Sequence, residues 1–347
     1  MKVLRRLGIF FFVCAIIYFL GPKPATPVLT NSMVYKDLKL KKLEFYVEKK
    51  ESVWDIRPDN HARIVWYDSS KMEKTKYSIV YLHGFGASQA EGDPVHRTIA
   101  ETFGSNLYLS RLNMHGLKGD NQLINFTADD LWESAKEALM IGKKLGDKVL
   151  LVGTSTGGTL ALKLAATFPE YVSGVILLSP NVAIRNSSAW LLNKPWGLQI
   201  ARAVVGGKYI TPSDTSELYR QYWSGEYRVE AAVELQQLIS KSMTKSTFKA
   251  IEQPLLMLYY YKDKDNQDEV VSVKAMLKMF DKISTPDDLK RQVPLPNAGD
   301  HVIGSYIKSN DVETVIDESI AFLEEIMGWE RALDKKAEQV KAVESVN

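Results

Sequence analysis

The chain has 347 residues, 45% hydrophobic and 25% charged, an ordinary globular mixture that can bury a sizeable core. With 44 Lys and Arg against 42 Asp and Glu, the formal charge is +2, and no basic run is interleaved with aromatics. That balance argues against nucleic acid as a partner. A lone cysteine, Cys14, excludes an intrachain disulfide and a Cys-based metal site. The five histidines form no His-Glu-x-x-His pair, so no metal is expected.

The first element is an apolar run. "MKVLRRLGIFFFVCAIIYFLGPKP" sets Lys2, Arg5 and Arg6 ahead of Leu7 to Leu20, and Gly21-Pro22 ends the run. The order of charge then apolar bulk predicts an export signal or an uncleaved membrane anchor, although the run is short of the roughly 20 apolar residues of a typical span. Basic residues on its N-terminal side would leave the rest of the chain on the non-cytoplasmic side. Residues 1–27 are thus expected to be signal or anchor plus linker, with the main domain at 28–347.

Downstream, "LKLKKLEFYVEKK" and "ARIVWYD" read as two edge strands with polar flanks. A regular alternation follows. Strands are expected at 77–84, 106–112, 148–153 and 174–179, with helices near 95–103, over 129–145 (capped by Thr127 or Asp129) and after Gly157. Residues 181–250 are helical in flavour and rich in Trp and Tyr. The alternation resumes with a strand at 254–261, a helix near 271–280, a strand at 291–299 and a helix at 311–326. The charged tail from Glu330 reads as an exposed helix or frayed end. Continuous apolar strands between helices predict an α/β fold with a mostly parallel sheet, flanked by helices and interrupted by a helical cap at about 182–250.

Chemistry concentrates where "LLVGTSTGGTLAL" turns from strand into helix. Ser155 stands between Gly153 and Gly157, so a sharp turn would expose its hydroxyl and aim the amide of Thr156 outward from a helix N-terminus. A serine needs a positioned base. Downstream of Ser155 the one histidine is His301, on the loop between the last strand and the last helix. The acid that orients such a base is sought after the penultimate strand, where "KDKDNQDEVVSVKAM" offers Asp268, anchored by Val270 and Val271, with Asp265 as the alternative. "LHGFGAS" supplies a second oxyanion donor at Phe85 N–H beside Thr156 N–H. His83, in the same stretch, reads as a structural ring bonded to nearby backbone.

Taken together, "HGFGAS", "RLNMHGL", "GTSTGG", "DEVVSVKAM" and "AGDHVIGS" resemble the α/β-hydrolase superfamily over about residues 40–327. The branch they are most similar to is the monoacylglycerol-lipase-like, serine-aminopeptidase-type (S33-like) hydrolases. The resemblance implies Ser155 as nucleophile, His301 as base, Asp268 as acid and a cap at 182–250, with no cofactor. Met114-His115-Gly116 replaces the family's frequent Gly-His-Gly, and the acid loop is a few residues long, which keeps Asp265 open. The expected activity is cleavage of a small or lipid-like carboxylic ester. Thioesterase or peptidase action on the same fold, or a non-catalytic binding module, are the alternatives.

Overall fold

The computed structural model describes residues 2–34, 37–119 and 122–332. Its frame is a seven-stranded sheet. In chain order the elements before the cap are helix α1 (Lys2–Phe19), α2 (Leu43–Glu51), strands β1 (Arg63–Val65) and β2 (Thr75–Leu82), and α3 (Val95–Thr102). They continue with β3 (Asn106–Leu109), α4 (Ala128–Leu145), β4 (Gly146–Thr154), α5 (Thr156–Thr167) and β5 (Gly174–Leu178). The cap insertion then carries α6 (Gly197–Val205), β6 (Tyr209–Ile210), α7 (Glu217–Tyr222), β7 (Tyr227–Arg228), α8 (Val229–Ser242) and α9 (Lys245–Lys249). The chain closes with β8 (Leu255–Tyr260), α10 (Val273–Phe280), β9 (Lys290–Leu295) and α11 (Val312–Glu325).

The strand order is β1-β3-β2-β4-β5-β8-β9, with β1 antiparallel to β3 and every other pairing parallel. Strand β4 explains the apolar runs. Leu150 and Val152 enter one core with Ile99 of α3 and Phe322 of α11. Val149 and Leu151 enter the other with Trp132 of α4, Leu160 of α5 and Leu238 of α8. Alternate side chains therefore serve opposite faces, and both faces are buried. The cap leaves the sheet after β5 and returns at β8, so it covers the C-terminal edge where loops converge.

Three expectations need correction. The first edge strand is instead helix α2: Leu43 and Val47, four residues apart, are buried on one side, while Phe45, Glu48 and Lys49 are exposed on the other. The cap is not purely helical, since β6 and β7 pair as a small antiparallel ribbon. The apolar N-terminus does coil into α1, yet 18 residues at about 1.5 Å per residue fall short of a hydrocarbon core about 30 Å thick, and Lys2, Arg5 and Arg6 occupy its first turns. Among the described residues no helix is long and apolar enough to cross a membrane, so a spanning anchor is not supported. The charged tail lies outside the described residues from 333 onward.

Candidate active site

Ser155 sits between β4 and α5 at φ 52°, ψ −116°. A positive φ is uncommon for a side-chain-bearing residue, and surrounding structure must hold it. Three bonds do so: Ser155 N–H donates to Leu178 O at 2.9 Å, while its carbonyl accepts from Thr159 N–H at 3.2 Å and Asn181 N–H at 2.9 Å. The turn also needs backbone to pass very close. A Cβ on Gly157 would lie 1.8 Å from Leu82 O, and one on Gly153 would lie 2.5 Å from Gly157 O. The two glycines are therefore required by close approach.

His301 lies on the loop between β9 and α11, and its Nδ1 faces Asp268 Oδ2 at 2.6 Å. Asp268 is fully buried, and its other oxygen accepts from Val270 N–H and Val271 N–H, each at 2.9 Å. Burial pushes the Asp268 carboxyl upward, but the His301 ring and these two amides outweigh it and hold its pKa below the usual value. Burial likewise disfavours charge on His301, and the Asp268 carboxylate outweighs that, so the imidazole pKa lies above 6.5. With Nδ1–H donating to Asp268, Nε2 is the acceptor of the neutral ring. Nε2 is buried and meets no hydrogen-bond partner among the described residues. Asp265 lies on an exposed turn, where its N–H donates to Asp263 Oδ1 at 2.9 Å.

Ser155, His301, Phe85 and Thr156 all line one cavity of about 440 Å³ beneath the cap. Thr156 opens α5, where helix geometry leaves N–H groups without intrahelical acceptors. Neither Phe85 N–H nor Thr156 N–H donates to a protein acceptor among the described residues. The Phe85 ring is fixed edge-on between Phe126 and Tyr227, at 5.3 and 5.2 Å. His83 is structural, as expected. Its Nδ1 meets Gly84 O at 2.9 Å, its Nε2 accepts from Leu112 N–H at 3.0 Å, and burial holds its pKa well below 6.5. Among the described residues no cluster of three or more His, Cys, Asp or Glu side chains is disposed to hold a metal.

Sequence reasoning missed several groups in the cavity wall. Glu91 and Asn181 are buried there, and Asn181 Oδ1 has no partner among the described residues. Asp300 also lines the wall, next to the histidine that had been singled out. Of the cap aromatics, Tyr219, Trp223 and Tyr227 reach the cavity, whereas Trp190 is 54% exposed.

A fold of this topology, with a strained serine turn at its sheet edge and a histidine–carboxylate pair on the same cavity, defines a class. Residues 77–303 match the family model of the alpha/beta hydrolase fold, and the chain belongs to that family. Among solved structures, it is similar to a metagenome-derived lipolytic enzyme described with LipS and LipT (TM-score 0.62, 18% identity, 78% of this chain and 99% of that one). It is also similar to a soluble variant of monoglyceride lipase from Saccharomyces cerevisiae (TM-score 0.55, 13% identity, 76% and 91% covered). A relative in sequence is the biotin biosynthesis bifunctional protein BioHC of Teredinibacter turnerae, 26% identical over 132 residues. That match spans 38% of this chain and only 22% of the relative.

Proposed function

We propose that the protein is a serine hydrolase that cleaves carboxylic esters, with Ser155 as nucleophile, His301 as base and Asp268 as the acid that orients the base. One observation carries the reading: Ser155, held at a positive φ, shares its cavity with a histidine whose far nitrogen is paired to a buried carboxylate. Ser155 Oγ attacks the carbonyl carbon while His301 Nε2 takes its proton and passes it to the departing alcohol. Water then attacks the acyl-enzyme, with His301 as base again. Phe85 N–H and Thr156 N–H hold the oxyanion, and losing such a donor typically costs about 3–4 kcal/mol at the transition state. The scheme needs no cofactor.

The cavity wall of Phe85, Ile184, Leu235 and Val270 with three cap aromatics suits an apolar acyl chain, so the substrate is read as a lipid-like ester. The lipolytic enzymes among the structural neighbours agree with that reading. The test is labelling of the protein with a fluorophosphonate, with the adduct mapped by mass spectrometry beside Ser155→Ala and His301→Ala. Absence of a Ser155 adduct in folded protein would move the assignment to a binding module. Parallel assays on thioesters and peptides separate the other acyl-transfer activities.

We also read the N-terminal segment as directing export, with the catalytic domain on the non-cytoplasmic side. The exposed apolar side chains of α1, Phe10, Phe11 and Phe12 among them, and its leading Arg5 and Arg6 support this. Protease digestion of intact cells tests it: survival of the whole domain until lysis would reject export.

A further inference from the structure

Glu91 is a buried ionisable group in the cavity wall that the proposed ester cleavage leaves without a task. It belongs to a short 3₁₀ turn, Gln89–Gly92, and is only 3% exposed. Its Oε2 accepts from Gly84 N–H at 2.5 Å, directly before the oxyanion donor Phe85. Helix α7 of the cap packs against the turn that carries it. A Cβ on Gly84 would lie 2.8 and 2.9 Å from the two carboxylate oxygens and 3.1 Å from Ser155 Cβ, so only the thickness of a glycine separates carboxylate from nucleophile.

Trp223 closes α7, and the cap segment around it is docked on the same loop and on the segment that precedes β1. Ser224 N–H donates to Gly86 O at 2.6 Å, and Arg57 Nη1 donates to Arg220 O and Trp223 O, both at 2.5 Å. Asn60 Nδ2 adds a bond to Gln221 O at 2.9 Å. Glu91, Gly86, Trp223 and Ser224 all line the catalytic cavity.

We propose that Glu91 is a positioning residue, its carboxylate bracing the oxyanion loop through Gly84 N–H on a turn against which the cap helix α7 packs, while adding a second negative charge beside His301. The proposal rests on the ester-hydrolase reading of this site. Gly84 N–H donates to the group, and a charged acceptor makes such a bond stronger. A glutamine of the same size would accept the same bond as a neutral amide and would bring no charge. Packing alone does not explain a charge here, because burying it is costly. Consistently, burial lifts Glu91 to about 7 even though Gly84 N–H opposes the shift. The field of Glu91 also contributes, after Asp268, to the raised pKa of His301. The other titratable groups acting on this pair are Asp300, Tyr81 and Tyr219, with the Asp214–Lys308 ion pair further along the wall.

The experiment follows kcat and KM against pH on a p-nitrophenyl ester for wild type, Glu91→Gln and Glu91→Asp, with NMR titration of the His301 ring in the same proteins. In Glu91→Gln the His301 titration and the acid limb of kcat/KM are expected to fall together by about 1 pH unit. Its kcat should drop about tenfold or more, with KM changed less, because a neutral amide braces the oxyanion loop more weakly than a carboxylate. Glu91→Asp, which restores the charge, should return the titration toward wild type. An unmoved His301 titration in Glu91→Gln overturns the proposal. If that variant does not fold, Glu91→Asp serves in its place: its shorter side chain draws the carboxylate back from Gly84 N–H, so kcat should drop, and an unchanged kcat there overturns the proposal equally. A wild type that hydrolyses no ester and takes no fluorophosphonate defeats the hydrolase reading instead, and the NMR titration still decides the role of Glu91.

Discussion

Asp268 and His301 are 33 residues apart in the chain, yet Oδ2 of one meets Nδ1 of the other at 2.6 Å. Parallel pairing of β8 with β9 brings this about, because it sets the loops that follow the two strands side by side. The bond consumes Nδ1 and leaves Nε2 free for the serine. Asp268→Asn reverses that logic, since an amide N–H opposite Nδ1 favours the wrong tautomer. The expected loss in kcat is on the order of 10⁴-fold. Asp265→Asn, on its exposed turn, should leave kcat within about twofold, as surface changes usually do. Steady-state kinetics of the two variants decides between the acids.

The pH profile follows from the same pair. In the proposed reaction His301 must be neutral to accept the serine proton, and its pKa lies above 6.5 because Asp268 outweighs the effect of burial. Activity should therefore fall on acidification with its midpoint above pH 6.5. Removing the charge at Asp268 removes the largest raising influence, so the residual activity of Asp268→Asn should have its midpoint at lower pH. A limb that stays in place would mean that another group governs it.

Ser155 holds a strained backbone. Its φ of 52° suits glycine better than serine. Ser155→Gly is expected to abolish hydrolysis and yet stabilise the fold by about 1 kcal/mol, raising Tm by about 2 °C. Calorimetry checks this. A lower Tm would show that the hydroxyl contributes more to stability than the turn costs.

How much of this was legible in the sequence depended on range. The serine turn was readable because its requirements are local: an apolar strand, small residues at 153 and 157, then a helix. His301 was readable because chain order left a single candidate. Helix α2 was misread because Leu38 and Leu40 alternate with lysines, whereas the contacts that decide the matter are Leu43 and Val47 against a distant core. Glu91 gave no signal at all, since "SQAEGDP" has no period, and its meaning arises only when Gly84 and the cap helix α7 meet its turn in the fold. The cap aromatics were visible, but which of them face the cavity is a matter of tertiary packing.

Close approach at the turn makes a further prediction. Gly157→Ala would put a methyl 1.8 Å from Leu82 O, a backbone atom that cannot rotate away. The variant should lose roughly 3 kcal/mol or more, in the range of severe steric lesions, and accumulate as insoluble protein. Gly119→Ala is the control for space, because nothing lies within 4 Å of its added Cβ. Its φ of 98° still carries strain, so a modest loss is expected there. Urea denaturation of the two variants gives the comparison, and a Gly157→Ala protein as stable as Gly119→Ala would show that β2 can yield at Leu82.

Glu91 links the site to stability with an unusual sign. A carboxyl normally has a lowered pKa in the folded state, but burial raises this one from 4.5 to about 7. Below pH 4.5 both folded and unfolded chains hold the proton and the group is neutral to stability. Between 4.5 and 7 the unfolded chain releases the proton while the folded one keeps it, so stability falls with rising pH and stays lowered above 7. Glu91→Gln removes that penalty and forfeits part of one hydrogen bond. The variant should therefore be more stable than wild type at pH 8 by about 1–3 kcal/mol and close to it at pH 5. Chemical denaturation at the two pH values reads the difference directly. Equal differences at both would mean that Glu91 ionises in the fold as freely as in the open chain, and that its carboxylate sits in its pocket without cost.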